Sequence, residues 1–166
     1  MGMEHMQNTA YVALHPFHED THHLYVSGTI ARNATSLQVA YELRGSLDEI
    51  LLPLPGTAPQ RRNELWQSTC FEFFLGQSGS PQYWEVNLSP SGDWNAYSFT
   101  GYRQGMREET AIATLPLTQQ RQPTSYQLAL DFPLAQFTAP DQPIAVAVAL
   151  ILQGHNGQRA FYALSH

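Results

Sequence analysis

The sequence has little positive charge, and its basic residues form no long run. Lysine and arginine together contribute 8 of the 166 residues, against 14 acidic residues, so the formal net charge is −6 at pH 7. A surface that binds nucleic acid needs many basic side chains aligned with the phosphates. The composition therefore argues against nucleic acid as a partner.

Cysteine is nearly absent, and long hydrophobic runs are missing. Cys70 is the only cysteine, which excludes an internal disulfide and a zinc site built from several thiolates. The longest apolar run, Ile144–Leu152, has nine residues, about half of what a membrane-spanning helix needs. The first residues also lack the basic and apolar regions of a secretory signal. We therefore expect a soluble, cytoplasmic protein without a membrane partner.

What the sequence does have is the composition of short strands joined by turns. Glycine and proline contribute 11 residues each, whereas charged residues make up only 13%, a balance that suits an all-β protein better than a helical bundle. Alternating apolar and polar residues, rich in β-branched and aromatic types, predict about ten strands. We therefore predict one domain, residues 1–166, folded as an all-β, two-sheet antiparallel β-sandwich.

Two of the predicted strands have an expected position in the sheets. Residues Ser125–Phe132 alternate so that their tyrosine, leucine and phenylalanine side chains share one face, which predicts a half-buried strand. Residues Ile144–Leu152 are apolar on both faces, so we predict a central strand that is covered on both sides.

The residues that point to function lie between Trp66 and Arg103, most of them in the segment Thr69–Phe99. Alternation places Glu72 on one face of its strand and the neighbouring phenylalanines on the other, core face. A sugar site needs aromatic rings for the apolar face of the ligand and carboxylates or amides for its hydroxyls. Trp84 is instead expected in the core. The candidate ligand-binding residues are Trp66, Glu72, Tyr83, Glu85, Asn87, Trp94, Tyr97, Tyr102 and Arg103.

Three short motifs resemble a known family. LWQSTCFEFF at residues 65–74, YWEVNLSPSGDW at residues 83–94 and GYR at residues 101–103 resemble the DOMON-like family of bacterial proteins. That family is in turn similar to the family 9 carbohydrate-binding modules. The resemblance implies an immunoglobulin-like β-sandwich that is not an enzyme and that binds a small ligand, with sugar as the leading candidate. It implies no obligatory cofactor.

Four alternatives remain open at this point. Relatives that bind haem make a haem-carrying or electron-transfer module the second candidate. Glu72 and Glu85 on neighbouring strands could form the carboxylate pair of a glycoside hydrolase. The same face could also be ordinary solvated sheet surface. Four histidines and two acids within His15–His23 could gather metal ligands, although their spacing matches no fixed metal motif and an exposed loop is expected.

Overall fold

The computed structural model describes residues 8–16 and 23–163, and these are organised almost entirely as β-strands. The only helical segments among them are two 3₁₀ turns, Leu65–Gln67 and Leu134–Gln136, and neither is long enough to cross a membrane. The all-β prediction is therefore confirmed. The eleven strands are β1 (Asn8–Pro16), β2 (Tyr25–Arg32), β3 (Leu37–Arg44), β4 (Cys70–Gln77), β5 (Tyr83–Leu88), β6 (Trp94–Phe99), β7 (Arg107–Glu108), β8 (Leu117–Gln122), β9 (Ser125–Phe132), β10 (Ile144–Gln153) and β11 (Arg159–Ala163).

All the strands belong to one antiparallel sheet. Its order is β7-β6-β5-β4-β10-β11-β1-β2-β3-β9-β8. Strand β1 joins the two halves, because residues 8–14 pair with β2 while His15 and Pro16 pair with β11. The strands thus form one continuous sheet, whereas we predicted two separate sheets. The immunoglobulin-like connectivity stays a prediction.

The two halves of the sheet curl over each other and enclose the core. Phe71 of β4 packs edge-on against Tyr41 of β3, with ring centroids 5.1 Å apart, and Phe73 packs in the same way against Phe132 of β9 at 5.3 Å. These four rings are fully buried. The alternation predicted for Ser125–Phe132 is confirmed, because every second side chain of β9 lies in this core.

Strand β10 is central in its half of the sheet, as predicted, between β4 and β11. It is covered on both faces only near its C-terminal end, where Leu150–Leu152 are buried. In its first half, Ala145 and Ala147 are exposed. The prediction that the whole strand is covered on both sides was therefore too strong. It rested on apolar content, and alanine counts as apolar although it is readily tolerated at exposed positions of a sheet.

Candidate functional site

The register of β4, β5 and β6 brings polar side chains together on the sheet face that points away from the core. Glu72 lies directly opposite Asn87, and Asn87 lies directly opposite Asn95 on β6. One row further along, Glu85 lies opposite Tyr97. We call this surface the polar face. It comprises Glu72, Phe74, Tyr83, Glu85, Asn87, Asn95, Tyr97 and Phe99.

The polar face is largely shielded from solvent. Asn87 is 0% exposed and Glu72 is 8% exposed. The 3₁₀ turn Leu65–Gln67 lies against β4 and β5, and it places the ring of Trp66 6.1 Å from the ring of Tyr97, tilted by 58°. Charged and amide side chains are rarely buried to this degree unless they are paired. The face therefore differs from ordinary solvated sheet.

Asn87 is the unusual residue of this surface. Its side-chain oxygen and nitrogen are both buried, and neither has a hydrogen-bond partner. A buried polar group without a partner typically costs about 1–3 kcal/mol. The amide therefore offers one acceptor and one donor group, unused by the protein, at the centre of the polar face.

Asn95, the neighbour of Asn87, is satisfied by the protein itself. Its Oδ1 accepts a hydrogen bond of 2.7 Å from Nη1 of Arg61, and its Nδ2 donates to the Tyr97 hydroxyl at 2.9 Å. The Tyr97 hydroxyl donates in turn to Oδ1 of Asn63 at 3.1 Å. The contrast shows that burial on this face permits full hydrogen bonding, so the unpartnered state of Asn87 is specific to its position.

The two carboxyl groups of the polar face ionise with difficulty. Burial, and secondly the nearby charge of Glu85, raises the pKa of Glu72 to about 7. Burial also raises the pKa of Glu85. Near neutral pH the Glu72 carboxyl is therefore divided between a form that donates a hydrogen bond and a form that only accepts. Burial and the charge of Glu72 likewise raise the pKa of the Cys70 thiol, which makes this cysteine a poor nucleophile.

Trp94 does not lie on the polar face, and the expectation that it joins the other candidates is corrected here. In the register it stands opposite Leu88, and its ring is 3% exposed within the core. The guanidinium of Arg61 covers the ring, 4.4 Å from its centroid. Because Asn95 and Tyr97 point to the polar face, alternation sends Trp94 to the opposite side. Trp84, expected in the core, is there.

The remaining candidates, Tyr83, Tyr102 and Arg103, lie together at the other end of β5 and β6. The ring of Tyr83 stacks on Phe99 with centroids 4.6 Å apart and planes within 5°. Its hydroxyl accepts a 3.1 Å hydrogen bond from the backbone N–H of Arg103. Tyr102 is 76% exposed, and its ring lies 5.1 Å from the Arg103 guanidinium. Tyr83 is thus the half-buried end of the polar face, and Tyr102 and Arg103 are exposed beside it.

Sequence reasoning missed Arg61, Asn63 and Asn95. Asn95 could have been found, because it shares the alternation phase of Tyr97 in β6. No local signal identifies the other two, since they reach the site from an irregular segment that runs beside β6.

The polar face holds no metal cluster that we can identify. Across residues 8–16 and 23–163, no group of three or more histidine, cysteine, aspartate or glutamate side chains could hold an ion. Most of the His15–His23 tract, residues 17–22, lies outside the described residues, so the metal alternative for that tract is not tested.

Comparison with known proteins identifies relatives in structure only. No protein-family model matches the chain, and no curated protein matches its sequence significantly. A protein from Bacteroides uniformis, described as a candidate carbohydrate-binding protein, is 13% identical with a TM-score of 0.66, covering 93% of this chain and 76% of its own.

A family 9 carbohydrate-binding module from Caldicellulosiruptor kristjanssonii is similar in two solved complexes. With cellotriose it is 10% identical with a TM-score of 0.55, covering 94% of this chain and 72% of its own. With glucose it is 10% identical with a TM-score of 0.53, covering 96% and 74%. The chain therefore shares the fold of carbohydrate-binding proteins, at identities that establish fold alone.

Proposed function

We propose that the protein is a non-catalytic binding module whose polar face holds a small hydroxyl-rich ligand, with a sugar as the leading class. The observation that carries the proposal is Asn87, whose amide is fully buried and unpartnered beside two carboxyl groups. A sugar hydroxyl both donates and accepts, so it could satisfy the Asn87 amide and a Glu72 carboxyl in either protonation state.

Aromatic rings next to these polar groups support the same ligand class. Tyr97 lies one row from Asn87 on the polar face and is itself buried, whereas Trp66, which packs against it, is only half-buried and offers flat apolar surface to the carbon side of a pyranose. Proteins of this fold from Caldicellulosiruptor kristjanssonii were solved with cellotriose and with glucose. Because Asn87 is fully shielded, binding would require the groups that cover it to move aside, but it would require no bond making or bond breaking by the protein.

The proposal is tested by titration calorimetry with monosaccharides and disaccharides, followed by tryptophan fluorescence. Asn87→Leu keeps the side-chain volume similar but removes both hydrogen-bonding atoms, so it should reduce affinity at least tenfold while leaving the protein folded. Trp66→Ala should also weaken binding and remove the fluorescence response. Gln136→Leu, an exposed amide away from the polar face, is the matched control and should bind normally. Unchanged sugar affinity in both site variants, or no sugar bound by the wild type, would contradict the proposal.

Glycoside hydrolysis is a second candidate because both buried carboxyl groups have raised pKa values. Glu85 lies diagonally from Glu72, since Glu72 pairs with Asn87 and Glu85 with Phe74; the two are not directly opposite. A raised carboxyl pKa is what a general acid requires. Release of nitrophenol from aryl glycosides by the wild type, lost in Glu72→Gln, would establish this activity in place of simple binding.

Haem binding rests on the family resemblance and on the seven histidines and four methionines of the sequence. Among the described residues, the polar face contains no histidine or methionine that could be an axial ligand. A Soret band appearing after haem is added to the purified protein would support the alternative, and its absence would remove it.

A further inference from the structure

A separate cavity lies at one end of the fold, on the core side of the sheet. The segment Leu47–Pro53 crosses this end between the β8–β9 hairpin and the β10–β11 turn. Two backbone hydrogen bonds attach it, from Leu51 N–H to the Gln153 carbonyl at 2.8 Å and from His155 N–H to the Glu49 carbonyl at 2.9 Å. The space beneath has a volume of about 460 Å³, within the range of small-molecule sites.

The wall of this cavity is mainly apolar. Leu47, Leu51 and Leu52 are half-buried and line it, together with Ile50 and the fully buried Tyr126 from the core. None of these residues belongs to the polar face. The cavity could therefore hold the apolar part of a ligand without involving the proposed sugar site.

One cation, Arg121 of β8, enters the same cavity. Its Nη1 donates to the Leu52 carbonyl at 2.8 Å, its Nη2 donates to the Pro53 carbonyl, and its guanidinium lies 5.2 Å from the ring centroid of Tyr126. The Nε atom is buried and has no acceptor. A guanidinium stays charged at all physiological pH values, yet the groups that Arg121 contacts, two backbone carbonyls and the Tyr126 side chain, are neutral.

No carboxylate among the described residues forms an ion pair with Arg121. The two ion pairs formed among the described residues, Arg44–Glu42 and Arg62–Asp93, do not include it. Asp48 lines the cavity but is exposed, where its charge is screened by water. The hydrogen bonds of Arg121 go to neutral carbonyl oxygens, which do not compensate the positive charge of its guanidinium.

We propose that this cavity binds a small monocarboxylate with an apolar body, whose carboxylate pairs with the half-buried guanidinium of Arg121 and whose hydrocarbon part contacts the leucines of the segment Leu47–Pro53. A carboxylate makes a stronger hydrogen bond with a guanidinium than a neutral carbonyl oxygen does. The carboxylate end therefore provides orientation and the apolar wall provides contact area.

The test compares four probes by titration calorimetry and by backbone amide NMR: hexanoate, phenylacetate, neutral hexanamide and cationic hexylamine. Hexanoate and phenylacetate should bind saturably and shift the amide signals of Leu47–Pro53 and Arg121. Hexanamide should bind at least tenfold more weakly, because it lacks the charge, and hexylamine should not bind. Equal affinity for hexanoate and hexanamide, or no saturable carboxylate binding, overturns the proposal.

Two variants locate the site. Arg121→Gln should lower hexanoate affinity at least tenfold, whereas Arg44→Gln, which removes an exposed arginine outside the cavity, should leave it unchanged. Because Arg121 also attaches the segment above it, Leu51→Trp provides a second test by filling the cavity while keeping the cation. Hexanoate binding that survives Leu51→Trp, or that survives Arg121→Gln in a folded variant, refutes this site.

Discussion

Replacing Glu72 with glutamine should stabilise the protein at neutral pH and change how its stability depends on pH. The folded-state pKa is about 7 against an ordinary value of 4.5. A carboxyl whose pKa is raised by folding binds its proton more tightly in the folded state. Its contribution to stability is therefore complete below about pH 4.5, declines as pH rises, and is lost above about pH 7. Glutamine stays neutral and removes this decline.

The size of the effect follows from the difference between the two pKa values. A difference of about 2.5, at 1.36 kcal/mol for each pKa unit, corresponds to about 3 kcal/mol. Near pH 4 the wild type and Glu72→Gln should have nearly equal free energies of unfolding. At pH 8 the variant should be more stable by up to about 3 kcal/mol, with most of the change between pH 5 and pH 7.

Urea unfolding at half-unit steps from pH 4 to pH 8 measures this directly. Asp131→Asn, which neutralises an exposed carboxyl on β9, is the matched control and should follow the wild type at every pH. If the Glu72→Gln and wild-type curves run parallel from pH 4 to pH 8, the carboxyl is not buried as described and the reasoning about the polar face fails.

Three further predictions concern the fold around the site. Trp94→Ala should lower the free energy of unfolding in urea by about 3–5 kcal/mol, because it empties a core position. The sugar affinity of the folded variant should be unchanged, and a loss of affinity would contradict the placement of Trp94 away from the polar face. Gly45→Ala should destabilise more than Gly79→Ala, because both have positive φ but only at Gly45 would the added Cβ meet another atom within 3.0 Å; equal melting temperatures would refute this. Native Cys70 should react with iodoacetamide far more slowly than the urea-unfolded chain, because its thiol is buried and its pKa is raised; equal rates would show that β4 opens readily.

The sequence predicted those features that depend on two-residue alternation. The faces of Glu72 and of the phenylalanines in β4 followed from periodicity, because a core on one side selects one alternation phase. Trp94 was misplaced because it was grouped with Tyr97 without applying alternation, which places residues three apart in one strand on opposite faces. Periodicity also could not show that Asn87 lacks partners, since that depends on which side chains from distant segments reach it.

Long-range contacts set the other limit. Arg61 lies in an irregular segment, and its contact with Asn95 on β6 spans 34 residues. Arg121 lies in β8, a strand that was not predicted, and the surroundings of its guanidinium depend on how Leu47–Pro53 folds over it. Such features require the packed structure, because composition and spacing carry no information about which acceptor is in reach.

The pairing of β1 with both halves of the sheet has a consequence for folding kinetics. Among the described residues, the two halves are joined by strand pairing only where His15 and Pro16 meet Tyr162 and Ala163, and proline contributes no N–H to that seam. These partners are separated by nearly the whole chain, so the seam closes a very large loop, and such contacts form late. During synthesis the strand pairing between the two halves therefore cannot form until β11 has left the ribosome. In the native protein, the amides flanking this seam should be among the first in the sheet to exchange with deuterium.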